Sequence, residues 1–162
     1  MKKLNTQGFT LVELLAVIII LAIVVGFTIP AILTTTKKAK AKAFANSAVA
    51  TADWIDRQYQ AMNTDLEDSG VATINPAFKD AMDVYDTQNG LLLDPTDSGS
   101  FGDMSKRFIY ASGINFDNLD RLHFYINGSG RACVTLTASS NGDYAGVGNI
   151  GENNNQVKGG AC

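Results

Sequence analysis

Glu13 is the residue through which the chemistry of this chain is best approached. It places a carboxylate inside a run, Phe9 to Leu33, whose only other polar side chains are Thr10 and Thr28. An ionised acid within hydrocarbon costs about 3 kcal/mol on the most generous scale, and such acids are usually paired. One available cation is an α-amine. If the backbone is cut after Gly8, Phe9 acquires one, a helical turn from Glu13 in the same chain and accessible to Glu13 of a second copy. The alternative reading leaves Glu13 at headgroup depth, where its cost is small. Other reactive residue types are scarce. One histidine, His123, and two cysteines, Cys133 and Cys162, cannot assemble a His/Cys metal cluster in one chain. His123 is read as a surface residue without an identifiable catalytic partner. Gly146-Val147-Gly148-Asn149-Ile150-Gly151 has the glycine pattern of a dinucleotide loop but is followed by Glu152 and asparagines, not by a helix start. Asp94-Pro95-Thr96-Asp97-Ser98-Gly99 echoes the start of a calcium loop, with Ser105 where the bidentate glutamate belongs. Asn127-Gly128-Ser129 is a glycosylation sequon by pattern and a hairpin turn by context. No catalytic residue, metal or cofactor is expected, and the chain is not read as an enzyme.

These residues must be positioned by a chain of 162 residues and 17.3 kDa, enough for one domain with a core. Hydrophobic residues at 46% and charged residues at 18% exclude wholesale disorder. Thirteen basic against sixteen acidic side chains, net charge -3, exclude a chain whose main partner is nucleic acid. The apolar run is longer than the roughly 20 residues a helix needs to cross a bilayer, and longer than the core of an ordinary signal peptide. Lys37, Lys38, Lys40 and Lys42 follow it. Phe44, Ala48, Ala52, Ile55, Tyr59 and Met62 then recur at spacings of three and four, so the helix continues as an amphipathic one to about Met62, roughly 80 Å in all. Trp54 adjoins that stripe as a core-edge residue. Residues 63 to 105 form a long connection, with Asn75-Pro76 capping a short helix over Ala77 to Tyr85 and Leu91 to Leu93 pinning it to the core. Strands are expected at Arg107 to Ala111, Arg121 to Ile126 and Arg131 to Thr137, the last two joined by the turn Asn127 to Gly130. The stretch from Asn141 to Cys162, rich in glycine and asparagine, is expected to be an irregular loop.

Gly8-Phe9-Thr10-Leu11-Val12-Glu13-Leu14-Leu15, behind a short stretch with Lys2 and Lys3, resembles the processing site of type IV pilins of the short-leader class and of their pseudopilin relatives. The resemblance implies that a prepilin peptidase cuts after Gly8 and N-methylates Phe9. Glu13 becomes the fifth mature residue, and Pro30 falls where the family commonly has a proline. Pro30 removes a backbone donor and crowds the carbonyl of Gly26, itself a poor helix former, so the turn between them is weak. It kinks in the membrane, or melts in a packed filament as the resemblance suggests.

The fold class implied is α+β, a long N-terminal helix, first transmembrane and then amphipathic, packed on an antiparallel sheet of about four strands. The divisions are a leader at 1–8, a transmembrane and assembly helix at 9–36, and the amphipathic half-helix with a globular head at 37–162. The function implied is that of the major structural subunit of a type IV pilus, a helical homo-oligomer supporting adhesion or twitching motility. The alternatives are a pseudopilin of a type II secretion or DNA-uptake system and, from a different class, a membrane-anchored binding protein that never polymerises. Expected partners are further copies of the chain, the prepilin peptidase, the assembly machinery, and membrane lipid before assembly. The expected location is a surface filament, preceded by a single-pass state in the cytoplasmic membrane. A count of lysines flanking the span would place the C-terminal side in the cytoplasm, whereas the resemblance places it outside. On the latter reading the lysine cluster is an exposed face that attracts carboxylates of adjacent subunits. Two cysteines in an exported domain more often pair than stay free, and the resemblance implies the same Cys133–Cys162 disulfide, since many pilins bracket a C-terminal loop with one; reduced thiols in a cytoplasmic head are the rival reading.

Overall fold

The computed structural model describes residues 10–64, 73–146 and 156–162. Two compact units are distinguished, one ending at Lys37 and one running from Lys38 to Cys162. Helix α1, Leu11–Asn63, contributes to both.

In the second unit, Phe44, Ala48, Ala52 and Ile55 of α1 are each fully buried. Their spacing places them on one side of the helix, and the small alanines between the two large side chains let its backbone approach other chain segments closely. They meet a four-stranded antiparallel sheet of order β1-β2-β3-β4, formed by Leu91–Leu93, Leu119–Ile126, Ala132–Ala138 and Gln156–Gly160. The close approach is visible at Gly159 of β4, where a Cβ would overlap the Ala48–Val49 backbone. Leu122 and Phe124 of β2 pair in register with Leu136 and Val134 of β3, all four fully buried. Asn127 to Gly130 makes the turn between β2 and β3, with the Gly130 N–H donating to the Asn127 carbonyl and Gly130 taking φ 74°. That backbone region favours glycine.

Helices α2, Pro76–Met82, and α3, Ser100–Ala111, close the aromatic side of the core. Asn75 caps α2 through its side-chain oxygen on the Ala77 N–H at 2.9 Å, and its own N–H donates to Gln58 of α1 at 2.6 Å. Trp54 meets both Phe78 and Phe108 edge to face, and Phe108 stacks on Phe124.

Three sequence expectations are corrected. Arg107 to Ala111 is the end of helix α3, not a strand. Its apolar, β-branched and aromatic residues suit a strand locally, but Met104, Phe108 and Ile109 are all buried at helical spacing. The C-terminal stretch is not irregular throughout, because Val157 and Gly159 face inward in β4 while Lys158 is exposed. Leu91 to Leu93 is more than an apolar pin. It is the edge strand β1, with Leu91 and Leu93 inward and Leu92 outward.

Candidate functional site

At the start of α1 the chemistry is local and well defined. Thr10 is the N-cap. Its hydroxyl accepts from the Glu13 N–H at 3.3 Å, while Glu13 Oε2 accepts from the Thr10 N–H and the Thr10 hydroxyl, each at 2.8 Å. This is a reciprocal capping box, which satisfies backbone donors that a helix start leaves unpaired. One carboxylate oxygen is thereby committed within the chain. Oε1 has no hydrogen bond among the described residues. Thr10 was absent from the sequence-derived candidates, although Thr-x-x-Glu directly before an apolar run is a helix-start signature. Gly8 and Phe9 lie outside the described residues, as does most of the glycine-rich pattern at 146–151.

From Leu11 to Leu33 the helix meets no packing partner among the described residues. Every large apolar side chain from Leu11 to Leu33 is exposed, from 48% at Val25 to 81% at Phe27. The hydroxyls of Thr28 and of Thr36 just beyond this stretch are already satisfied. Thr28 donates to the Val24 carbonyl at 3.0 Å and Thr36 to that of Ile32 at 2.9 Å, so neither presents an orphaned donor to an apolar surrounding. Among the described residues one helix, α1, is long and apolar enough to cross a membrane. It continues through Pro30, and a Cβ on Gly26 would meet nothing within 4 Å. The missing side chain at Gly26 is therefore not required by packing within this chain.

The other candidates lie in the second unit. Cys133 and Cys162 form a disulfide with Cα atoms 4.8 Å apart, closing a separation of 29 residues. Asp56, on α1, is 6% exposed and accepts from the Ala132 N–H and from Arg131 Nε, each at 2.6 Å, so it ties the start of β3 to the helix. His123 Nε2 lies 2.9 Å from the Asn89 carbonyl and fastens the turn at Asp86 to Gly90. That geometry is structural, with the nitrogen donating.

A polar pocket of about 260 Å³ is lined by Asp94, Thr96, Asp120, Arg121, Thr137 and Gln156. Asp94 accepts from the Thr96 hydroxyl and N–H and lies 3.5 Å from Arg121. The Thr96 hydroxyl bond, with further help from the Thr96 N–H and the Arg121 charge, holds its carboxyl below the usual range. A guanidinium thus stands beside the acid that the calcium-loop pattern would have used. Among the described residues no group of three His, Cys, Asp or Glu side chains is placed to hold a metal ion.

Residues 3–29 match the family described as the prokaryotic N-terminal methylation motif, the prepilin motif of type IV pilins and pseudopilins. The long N-terminal helix and small antiparallel sheet fit that superfamily. No match was found among curated proteins or among solved structures.

Proposed function

We propose that this chain, which carries a prepilin motif, is the structural subunit of a type IV pilus. It is cleaved after Gly8, methylated at Phe9 and assembled by packing its N-terminal helices together. One observation carries the reading: the Leu11 to Leu33 surface is apolar on every side and finds no partner among the described residues, yet it begins with a carboxylate. Lipid can cover the side chains before assembly, and copies of the same helix can replace lipid afterwards.

Glu13 then has two tasks, one for each oxygen. Oε2 holds the helix start through Thr10, and Oε1 accepts from the α-amine of Phe9 in a neighbouring copy. Because that pair forms in a medium of low dielectric, a subunit docked out of register leaves a charge unpaired, and its contribution is to select the register. Gly26 and Pro30 supply a turn that can loosen when helices crowd together. The disulfide fixes Cys162 to β3 in a head displayed at the cell surface.

The test is Glu13→Ala, followed by quantifying sheared surface filaments and the membrane-inserted pool. Filament is expected to fall about a hundredfold, corresponding to roughly 2.7 kcal/mol, with insertion retained. Wild-type filament levels from this variant would remove the mechanism. N-terminal mass analysis should give a chain beginning at N-methylated Phe9; an intact leader would instead favour a membrane-anchored protein that does not polymerise. Correct processing without long surface fibres would assign the chain to the pseudopilins.

A further inference from the structure

The distribution of charge along the chain is strongly uneven. Lys37, Lys38, Lys40 and Lys42 fall within six residues at the end of the apolar segment, and all four are exposed. On α1 they lie at about 0°, 100°, 300° and 140° around the axis, so they form a collar and not a stripe. None is in an ion pair among the described residues. Between Glu13 and Asp53 the helix contains no acidic residue. Asp53 is about 16 Å along the helix from Lys42, beyond the screening length of about 8 Å at physiological salt.

From residue 43 onward the balance reverses, with fifteen acidic side chains against seven basic ones. The excess is concentrated in residues 80–105, which contain six aspartates and no lysine or arginine. Two of the six have cationic partners, Asp80 with Arg107 and Asp94 with Arg121. Asp86 is engaged by its own turn, accepting from the Gln88 N–H at 2.7 Å and the Asn89 side chain at 2.8 Å. Asp83, Asp97 and Asp103 are exposed, and their carboxylates have no cationic partner among the described residues. The same stretch and its flank carry Val84, Leu92, Phe101 and Tyr110, four of the exposed large apolar residues outside α1.

We infer that the lysine collar docks on the acidic segment Asp80 to Asp103 of a second copy of this chain. The inference rests on the filament reading above. Packing the apolar helices of several copies together brings their collars close. Collars facing one another repel, and the repulsion strengthens as water is excluded. Anions must enter between them, and the chain carries a surplus of its own. Lys38 and Lys42 are the best placed to reach a neighbour. At about 120° and 160° from Phe44 around the helix, they point away from the face that packs on the sheet.

The test is charge exchange in the full-length protein expressed with its own assembly machinery. Lys38→Glu with Lys42→Glu should lower sheared filament about tenfold, with cleavage after Gly8 and membrane insertion unchanged. Asp83→Lys with Asp97→Lys should do the same. Neither aspartate side chain holds its own fold together by a hydrogen bond, and a cation at Asp83 suits the C-terminal end of α2. Trp54 fluorescence confirms that each head is folded. Combining all four changes should restore filament. Failure to restore would overturn the inference and point instead to anionic lipid headgroups as the collar's partner. Undiminished filament from the lysine pair would overturn it as well. Absence of filament from the unaltered protein would strike at the filament reading itself and is thereby distinguished.

Discussion

Phe27 and Phe44 lie on the same helix, yet the first is 81% exposed and the second 0%. Composition does not explain the difference, because both stretches of α1 offer apolar surface. The stretch from Phe44 to Ile55 confines it to one side and closes that side with a sheet encoded later in the same chain. The stretch from Leu11 to Leu33 spreads it around the whole circumference, which no single sheet could cover. One unit therefore completes its core with its own residues, whereas the large apolar side chains of the other stay exposed among the described residues and, on the proposed function, are covered by lipid or by further copies. Substitutions should separate accordingly, those in the second unit changing the stability of the head and those near Glu13 changing assembly.

The largest effects on the head are expected at Asp56 and at the Cys133–Cys162 disulfide. Asp56→Ala leaves the Ala132 N–H without its acceptor and removes the partner of Arg131. The expected cost is about 3 kcal/mol, most of it for the orphaned backbone donor and the broken partly buried pair. Trp54 fluorescence during thermal unfolding of the detergent-solubilised protein is the measurement. Asp56→Asn, which retains one acceptor, should cost less. Equal stability of the alanine variant and the unaltered protein would show that the helix is not tied to β3 through this contact. Replacing Cys133 and Cys162 together by serine should have a comparable effect, about 3.5 kcal/mol in the chain-entropy account for a separation of 29 residues. On the proposed processing, cleavage after Gly8 should be unchanged in both.

The two units also differ in how far they can be read from sequence. The first was legible because its signals are local: an uninterrupted apolar run, a glycine before phenylalanine, and a carboxylate in register. Even there one carboxylate carries two signals, its charge inside an apolar run and its Thr-x-x-Glu spacing from Thr10, and the second is the capping signature. In the second unit the hairpin from Leu119 to Ala138 was legible through its turn and alternation, whereas α3 and β4 were not. In α3 the stretch Arg107 to Ala111 favours a strand by residue type, and tertiary packing of Met104 and Phe108 decides otherwise. In β4 two glycines argue against a strand, but Gly159 is needed because α1 passes too close for a side chain. That requirement arises from a contact between residues more than a hundred positions apart, which no window of sequence contains.

A smaller effect tests the capping box on the assembly side of the comparison. Thr10→Val removes the hydroxyl that bridges Glu13 Oε2 and the Glu13 N–H, leaving the Thr10 backbone bond in place. Loss of a cap side chain costs about 1 kcal/mol, which is about a fivefold change in an equilibrium. Filament should fall by that factor, well short of the loss from Glu13→Ala, and Thr10→Ser should restore it. A loss as large as that from Glu13→Ala would show that Thr10 does more than orient the carboxylate.

The smallest effect is a dependence on acid confined to the head. Asp86 is held below the usual carboxylate range chiefly by the Gln88 N–H and then by the Asn89 side chain, and Asp94 chiefly by the Thr96 hydroxyl. A carboxyl whose folded value is lowered binds fewer protons folded than unfolded. Its contribution is present in full above the unfolded value of about 4 and is lost as pH falls through the folded one. Melting followed at Trp54 should therefore lose a small increment of stability below about pH 4. Asp94→Asn should reduce that dependence, because it removes one of the two titrating groups while keeping an acceptor for Thr96. An unchanged acid slope in this variant would mean that the loop at Asp94 is not held by its charge.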